Sequence, residues 1–316
     1  MDTAVPFQPW ALLADSSSGS TWVNHVLSSH PCAVSQGEYL MTNKTAAALF
    51  HQSPEGIAAV LRDVAARNRD ALSRRGANLT AHCTRFAGGV KLKLVERDVL
   101  FGNDGNALAV AAALGRQGYN VLLLHRTNHL DSLLGRMSRK RTGVLHCKKE
   151  KAEMCKKSLN TSFVLSCARA RDAIDRYRLR RRASELLFRN WPSPLNGTGT
   201  VLRLEYERLV GSPRTWLSAL RLIRLLDDND ASSDGDSSSS STRRGSHYYS
   251  GCVLRDEYQK RVTQTQRELI SNYAALSSCL RRAGHAYSKL LVERRPASGA
   301  LPRKRRKSNC AIAQLW

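Results

Sequence analysis

Aromatic residues make up only 6% of this 316-residue chain, and its 42% hydrophobic content rests mainly on Leu, Ala and Val. A sizeable core is available, but no apolar run approaches the ~18 residues of a membrane helix, so no membrane span is expected. The sequence does not open on a basic stretch followed by a long apolar one. A secretory leader is therefore not expected, and cytoplasmic residence is favoured over Golgi or nucleus. The 8 cysteines include no Cys-x-x-Cys pair, which reads as reduced thiols and no structural zinc. Without a leader, the glycosylation sequons at Asn43, Asn78, Asn160 and Asn196 read as chance matches. Acidic residues are the other shortage: 26 Asp and Glu face 50 Lys and Arg, for a net charge of +24. Such an excess suits a polyanionic partner, most often nucleic acid, or a nucleotide with several negative groups. Solvated surface charge is the plain alternative for much of it.

What the sequence does hold is a strand–loop–helix unit near its start. Trp10 to Ala14 is a short apolar run of buried-strand character. Ser16 to Ser20 form a loop of small hydroxyl residues around Gly19, and Thr21, Trp22, Val23, Val26 and Leu27 follow at helical spacing. A helix start reached through small residues offers backbone N–H groups and a positive dipole end to a phosphate. The Gly-Lys-Ser/Thr ending of a Walker loop is absent, and no magnesium-binding Asp follows a strand. A kinase or NTPase is disfavoured on both grounds.

Strand and helix patterns alternate beyond this unit. Pro54 to Ser73 is helical, with Ile57, Val60, Leu61 and Val64 on one face. Gly88 to Leu94 alternates at period two. Asn106 to Gln117 is an Ala-rich helix ended by Gly118, and Asn120 to His125 is a continuous apolar run typical of a buried parallel strand. A helix over roughly Asn128 to Arg139, a long basic helix over Val164 to Arg189 and a short strand over Gly199 to Leu204 follow. Helices over Pro213 to Leu226 and Arg255 to Arg282 complete the pattern. Strands separated by helices imply right-handed crossovers and a parallel sheet. Residues 227–246, rich in Asp and Ser, cannot bury apolar surface and are expected to be a disordered insertion. Residues 293–316, with the run Arg303 to Lys307, are expected to be a basic, disordered tail.

Four segments in a fixed order carry a resemblance. The first is Ser18-Gly19-Ser20-Thr21-Trp22, followed by Ser29-His30-Pro31 and Gly37-Glu38-Tyr39. The second runs from Val121 to His146, with Arg126 just after the apolar strand and Thr142-Gly143 further on. The third is Val201 to Leu209, with Tyr206-Glu207; the fourth is Leu269 to Tyr273, with Leu276, Leu280, Gly284 and Tyr287. Together they resemble the sulfotransferases that use 3′-phosphoadenosine 5′-phosphosulfate, in particular the bacterial-type and carbohydrate branch. The resemblance implies a three-layer α/β sandwich of the P-loop NTPase type, with a central parallel sheet and helices on both faces, over residues 1–292. It implies Ser17, Ser18, Gly19, Ser20, Thr21, Trp22 and Arg126 as donor contacts, that donor as co-substrate, and no metal. An Arg at 126 can hold a phosphate through two hydrogen bonds. The resemblance also implies Tyr206-Glu207 as architecture and Lys260 and Arg261 as further basic contacts.

The implied reaction is in-line transfer of a sulfuryl group to a hydroxyl or amine of an acceptor, a carbohydrate among the candidates. It needs a base for the acceptor proton, positive charge at the leaving phosphate and a fixed donor geometry. Glu38 is the candidate base, since a free Glu titrates near ~4.3 and is ionised at neutral pH; His25 and His30 are alternatives. Two positions depart from the family pattern. Ser17 stands where the family has Lys or Arg, and losing one such donor typically costs ~10²–10³ in rate. Gly135 stands where the family has Ser, with Ser132 and Ser138 a turn to either side. Lys91 or Lys93 can replace the charge missing at Ser17. The expectations that follow are a slow or rewired sulfotransferase, a donor-binding relative without activity, or, from a different class, a basic nucleic-acid-binding protein resting on residues 164–189 and the tail.

Overall fold

The computed structural model describes residues 6–75, 83, 85–94, 106–142, 162–189, 199–225 and 265–291. The expected insertion at 227–246, the tail at 293–316, the sequons Asn78, Asn160 and Asn196, and Gly143, His146, Lys260 and Arg261 lie outside the described residues. The strands are β1 (Phe7–Ala14), β2 (Ala33–Ser35), β3 (Phe86–Lys93), β4 (Asn120–His125) and β5 (Val201–Glu205). The helices are α1 (Ser20–Ser28), α2 (Tyr39–Thr42), α3 (Lys44–Gln52), α4 (Pro54–Ser73), α5 (Asn106–Arg116), α6 (His129–Thr142), α7 (Cys167–Arg189), α8 (Tyr206–Gly211), α9 (Pro213–Leu222), α10 (Gln266–Leu269), α11 (Tyr273–Arg282) and α12 (His285–Ser288). No described helix is long and apolar enough to cross a membrane. The chain divides into two compact units, Met1–Thr127 with Arg182–Leu254, and Asn128–Arg181 with Arg255–Trp316.

The first unit is built on a five-stranded sheet in the order β2-β3-β1-β4-β5, with every pair parallel. Alternate side chains of a strand face opposite layers. Ala11 and Leu13 of β1, with Val90, Leu92, Val121 and Leu123, join Ile57, Val60, Leu61 and Val64 of α4 and Val110 and Leu114 of α5. On the opposite face Trp10, Leu12 and Ala14 join Val23, Val26 and Leu27 of α1 and Trp216, Ala219 and Leu220 of α9. Both faces are thus covered, and the three-layer α/β sandwich expected from the sequence is the architecture found. Gly89 makes the sheet fit: a Cβ there would lie 2.1 Å from the Trp10 ring of the paired strand.

The second unit is helical. Leu130, Leu133 and Leu134 of α6, Ile174 and Tyr177 of α7, and Leu276 and Leu280 of α11 share one buried cluster. Its irregular joints have side-chain explanations. The Asn272 amide bonds both backbone groups of Leu165, accepting from its N–H at 3.0 Å and donating to its carbonyl at 3.1 Å. That takes both backbone groups of Leu165 out of any helical ladder, so the basic helix starts at Cys167 rather than Val164. The expected single helix over Arg255 to Arg282, whose residues 255–264 lie outside the described residues, is corrected over 265–282. Ile270 forms a parallel bridge with Phe163, which separates α10 from α11.

The expectation of reduced thiols is also corrected. Cys32 is bonded to Cys83 and Cys167 to Cys279, with Cα separations of 5.7 Å and 6.2 Å, and no described cysteine is free. Partners 51 and 112 residues apart leave no local spacing signal for a sequence reading to use. Residues 33–52, which show no element by pattern, hold β2, α2 and α3. Asn43 caps α3 by accepting from Ala46 N–H at 3.0 Å and donates to the Tyr39 hydroxyl at 2.8 Å.

Candidate functional site

β1 lies at the centre of the sheet. The chain leaves it for β2 and β3 on one side, then crosses to β4 and β5 on the other. In parallel α/β sheets, ligands bind beyond the strand ends where the order reverses in this way. The loop of small residues, Asp15 to Gly19, follows β1 at that point, and the two strands flanking β1 each bring one cation to it.

The loop is folded by its own small residues. Ser18 N–H donates to the Asp15 carbonyl at 3.3 Å, and Ser17 and Gly19 both adopt left-handed backbone, with φ of 63° and 85°. Gly19 is required twice over: its φ is unfavourable for other residues, and a Cβ would lie 2.2 Å from the Tyr206 ring. Gly19 is also the N-cap of α1, and no side chain caps that helix. The loop therefore ends on first-turn N–H groups and the positive end of a nine-residue helix. Ser18 is 1% exposed, and its hydroxyl has no hydrogen-bond partner among the described residues. Ser20 is buried, and Trp22 packs edge-on against Tyr206 and Trp216, at 5.8 and 5.2 Å between centroids.

Arg126 follows β4. Its Nη1 donates to the Ser17 carbonyl at 3.2 Å, and its guanidinium carbon lies 5.1 Å from the centre of the Tyr206 ring. Glu207 holds it from behind, with Oε1 3.8 Å from Arg126 Nε and Oε2 accepting from Thr127 N–H at 3.0 Å. The Tyr206-Glu207 pair at the start of α8 thus seats the arginine on the loop and roofs Gly19. The sequence reading of these two residues as architecture missed the contact with the glycine.

Lys91 is carried by β3, in register with Leu12. It is 4% exposed, donates to the Thr21 hydroxyl at 2.7 Å and forms an ion pair with Glu38. Glu38 reaches this place because the chain beyond β2 continues along β3, with Gln36 N–H on the Gly89 carbonyl at 3.0 Å and Lys91 N–H on the Gly37 carbonyl at 2.8 Å. Lys93, two residues along the same face, approaches the second Glu38 oxygen at 3.4 Å and the Met41 sulfur at 3.0 Å. Burial by itself raises the Glu38 carboxyl, but the charge and hydrogen bonding of Lys91, then of Lys93, bring it below its ordinary value. Burial also pulls the Lys91 ammonium below the usual lysine value; Glu38 opposes that shift and Lys93 adds to it. At neutral pH the arrangement is an ionised carboxylate between two ammonium groups, next to the first turn of α1.

The structure thus brings Ser17, Ser18, Gly19, Ser20, Thr21, Trp22, Glu38 and Arg126 into one region of the first unit. Of the alternative bases, His25 lies on α1 one turn beyond Thr21. His30 is 1% exposed, accepts from Cys32 N–H at 3.2 Å, and is pushed down to about 4 by burial, so it serves as a neutral brace for the turn into β2. Gly135, Ser132 and Ser138 all lie on α6 of the second unit, where the Ser132 hydroxyl donates to the Asn128 carbonyl at 3.3 Å. The signal for Lys91 in the sequence is its position: a lysine at an inward-facing step of a strand whose neighbours are Gly89, Val90 and Leu92.

No family model matches the sequence, and no curated protein matches it. Among solved structures the chain is similar to the sulfotransferase domain from the Synechococcus PCC 7002 olefin synthase. The two are 15% identical, with 92% of this chain and 88% of that one covered and a TM-score of 0.37. Values this low leave the functional reading to the site itself.

Proposed function

We propose that the chain is a sulfotransferase-like enzyme that binds 3′-phosphoadenosine 5′-phosphosulfate at the loop after β1 and transfers its sulfuryl group to a hydroxyl or amine. The observation that carries this reading is the meeting, at the switch point of the sheet, of an uncapped helix start with one cation from each flanking strand, Lys91 and Arg126. That site suits a compact anion flanked by further negative groups. In this reading the loop and the N-terminus of α1 hold the phosphosulfate, Arg126 holds a second phosphate of the nucleotide, and Glu38 takes the acceptor proton. Calorimetric titration with 3′-phosphoadenosine 5′-phosphate tests it. Binding is expected in the wild type, weaker by roughly 10- to 100-fold in Arg126→Ala, because a charge-assisted hydrogen bond contributes about 1.5–3 kcal/mol. Glu38→Gln should keep nucleotide affinity within a few fold and abolish transfer of labelled sulfate. A wild type that does not bind the nucleotide sinks the proposal.

The second unit favours another reading. Its described residues hold 14 Lys and Arg against only Asp131, Asp172, Asp175 and Glu268. A surface so basic suits a nucleic acid, and binding of DNA or RNA with a steep salt dependence, unaffected by Arg126→Ala, would support that reading instead.

A further inference from the structure

Lys91 is the least expected charge in the first unit. A buried ammonium is costly to desolvate, and a buried ion pair is often no more stabilising than apolar residues of the same volume. Leu12, its register partner, faces the same layer with Val23 and Val26 of α1, so an aliphatic side chain suits the surroundings. The ammonium nevertheless stands within a hydrogen bond of Thr21, the second residue of α1, and against Glu38. Ser17, where a loop cation is missing, gives its carbonyl to Arg126 and carries no charge of its own.

On the transferase reading above, on which this inference rests, we propose that Lys91 is the catalytic cation of sulfuryl transfer, replacing the charge absent from the loop, and that it exchanges Glu38 for the donor's bridging oxygen when the donor binds. In the step itself, the acceptor oxygen forms a bond to sulfur while the bond from sulfur to the oxygen of the 5′-phosphate breaks. The electron pair stays on that phosphate oxygen, which Lys91 meets with an N–H. The acceptor proton passes to Glu38, which retains only Lys93 as a cationic neighbour. An anion arriving at Lys91 thus frees the base, so the donor must bind before the acceptor can be deprotonated. Lys93 has a different part: it stays with Glu38 and Met41 and does not reach Thr21.

The test needs no identified acceptor, because water can serve as one. Release of labelled sulfate from the ³⁵S-labelled donor is measured for the full chain and its variants, beside calorimetric affinity for 3′-phosphoadenosine 5′-phosphate. Lys91→Met is expected to slow release by roughly 10²–10³, the usual loss for one preorganised donor at a developing charge, while nucleotide affinity changes by less than about tenfold. Ser17→Lys placed in the Lys91→Met background should recover at least about tenfold, since it returns a cation to the same oxygen. Circular dichroism and melting temperature check that the variants fold, because Lys91→Met leaves the Glu38 carboxylate with Lys93 alone. If the wild type releases sulfate and Lys91→Met matches it, or if Ser17→Lys gives no recovery, the inference is overturned while the transferase reading stands. A wild type that binds no nucleotide overturns the transferase reading, and this inference falls with it.

Discussion

The two units carry positive charge in opposite ways. In the sheet unit the two cations beside the loop are sheltered and each is answered by a carboxylate: Lys91 by Glu38, Arg126 by Glu207. In the helical unit they are many and face solvent. Arg267 and Arg281 are exposed, line one groove with Ser271, Tyr273 and Ser277, and have no ion-pair partner among the described residues. One of its few acids, Asp175, accepts from the Tyr287 hydroxyl at 2.8 Å and pairs with Arg178, whose guanidinium lies 4.6 Å from the Tyr287 ring centre. A sheltered cation with a fixed partner can recognise one group in one orientation, because low dielectric strengthens it and its geometry is set. An exposed array attracts any polyanion and is screened by salt.

That contrast can be broken experimentally, starting with stability. The helical unit has the smaller core, so it should lean harder on its cystine. Replacing Cys167 and Cys279 together by serine opens a cross-link spanning 112 residues and should cost about 4 kcal/mol. The same change at Cys32 and Cys83, 51 residues apart, should cost less, and thermal melts with and without reductant will rank the two.

Acid comes next. In the fold the buried His30 ring stays neutral down to about pH 4, whereas an unfolded histidine takes up a proton below about 6.5. The unfolded state therefore binds more protons between those values, and stability should fall by on the order of 3 kcal/mol as the pH drops through that window. His30→Gln should flatten this limb in denaturant titrations across pH. Glu38, held below its ordinary value, adds a further loss once the pH falls through the ordinary carboxylate range, where the unfolded chain takes up the proton first.

A substitution at the loop should affect the nucleotide more than the fold. Gly19→Val puts a branched side chain at φ 85° against the Tyr206 ring and should lower affinity for 3′-phosphoadenosine 5′-phosphate by about 100-fold or more, with left-handed strain and the clash acting together. Smallest of all, Arg267→Ala with Arg281→Ala should leave stability within about 0.5 kcal/mol and nucleotide affinity unchanged. Together they should reduce the salt slope of polyanion binding by at most about 2, one for each arginine withdrawn from a phosphate. A large effect of this pair on nucleotide affinity would erase the proposed division of labour.

Much of the sandwich was legible because periodicity and burial share one cause. Val121 to Leu124 is apolar throughout because β4 is covered on both faces, and Pro54 to Ser73 shows one apolar stripe because α4 covers one face of the sheet. The stretch 33–52 was not legible: β2 is three residues long, and α2 is a single turn following Gly37 in left-handed backbone. In the site, the loop and Arg126 could be located from their order along the chain. The pairing of Glu38 with Lys91 could not, since it depends on β2 and β3 lying side by side.

Local order along the chain decided the elements, the anion-ready loop, the candidate base and the excess of charge, because each of these depends on neighbouring residues or simple composition. Contacts between distant segments decided the rest. The sheet order placed β3 and β4 on either side of β1, and so chose which cations of so basic a chain meet the loop. Two cystines joined residues that no spacing connects. Burial separated Lys91 from Lys93, two lysines the sequence presents as equals: only the first lies within reach of the helix start, under a layer that excludes water and gives its charge weight.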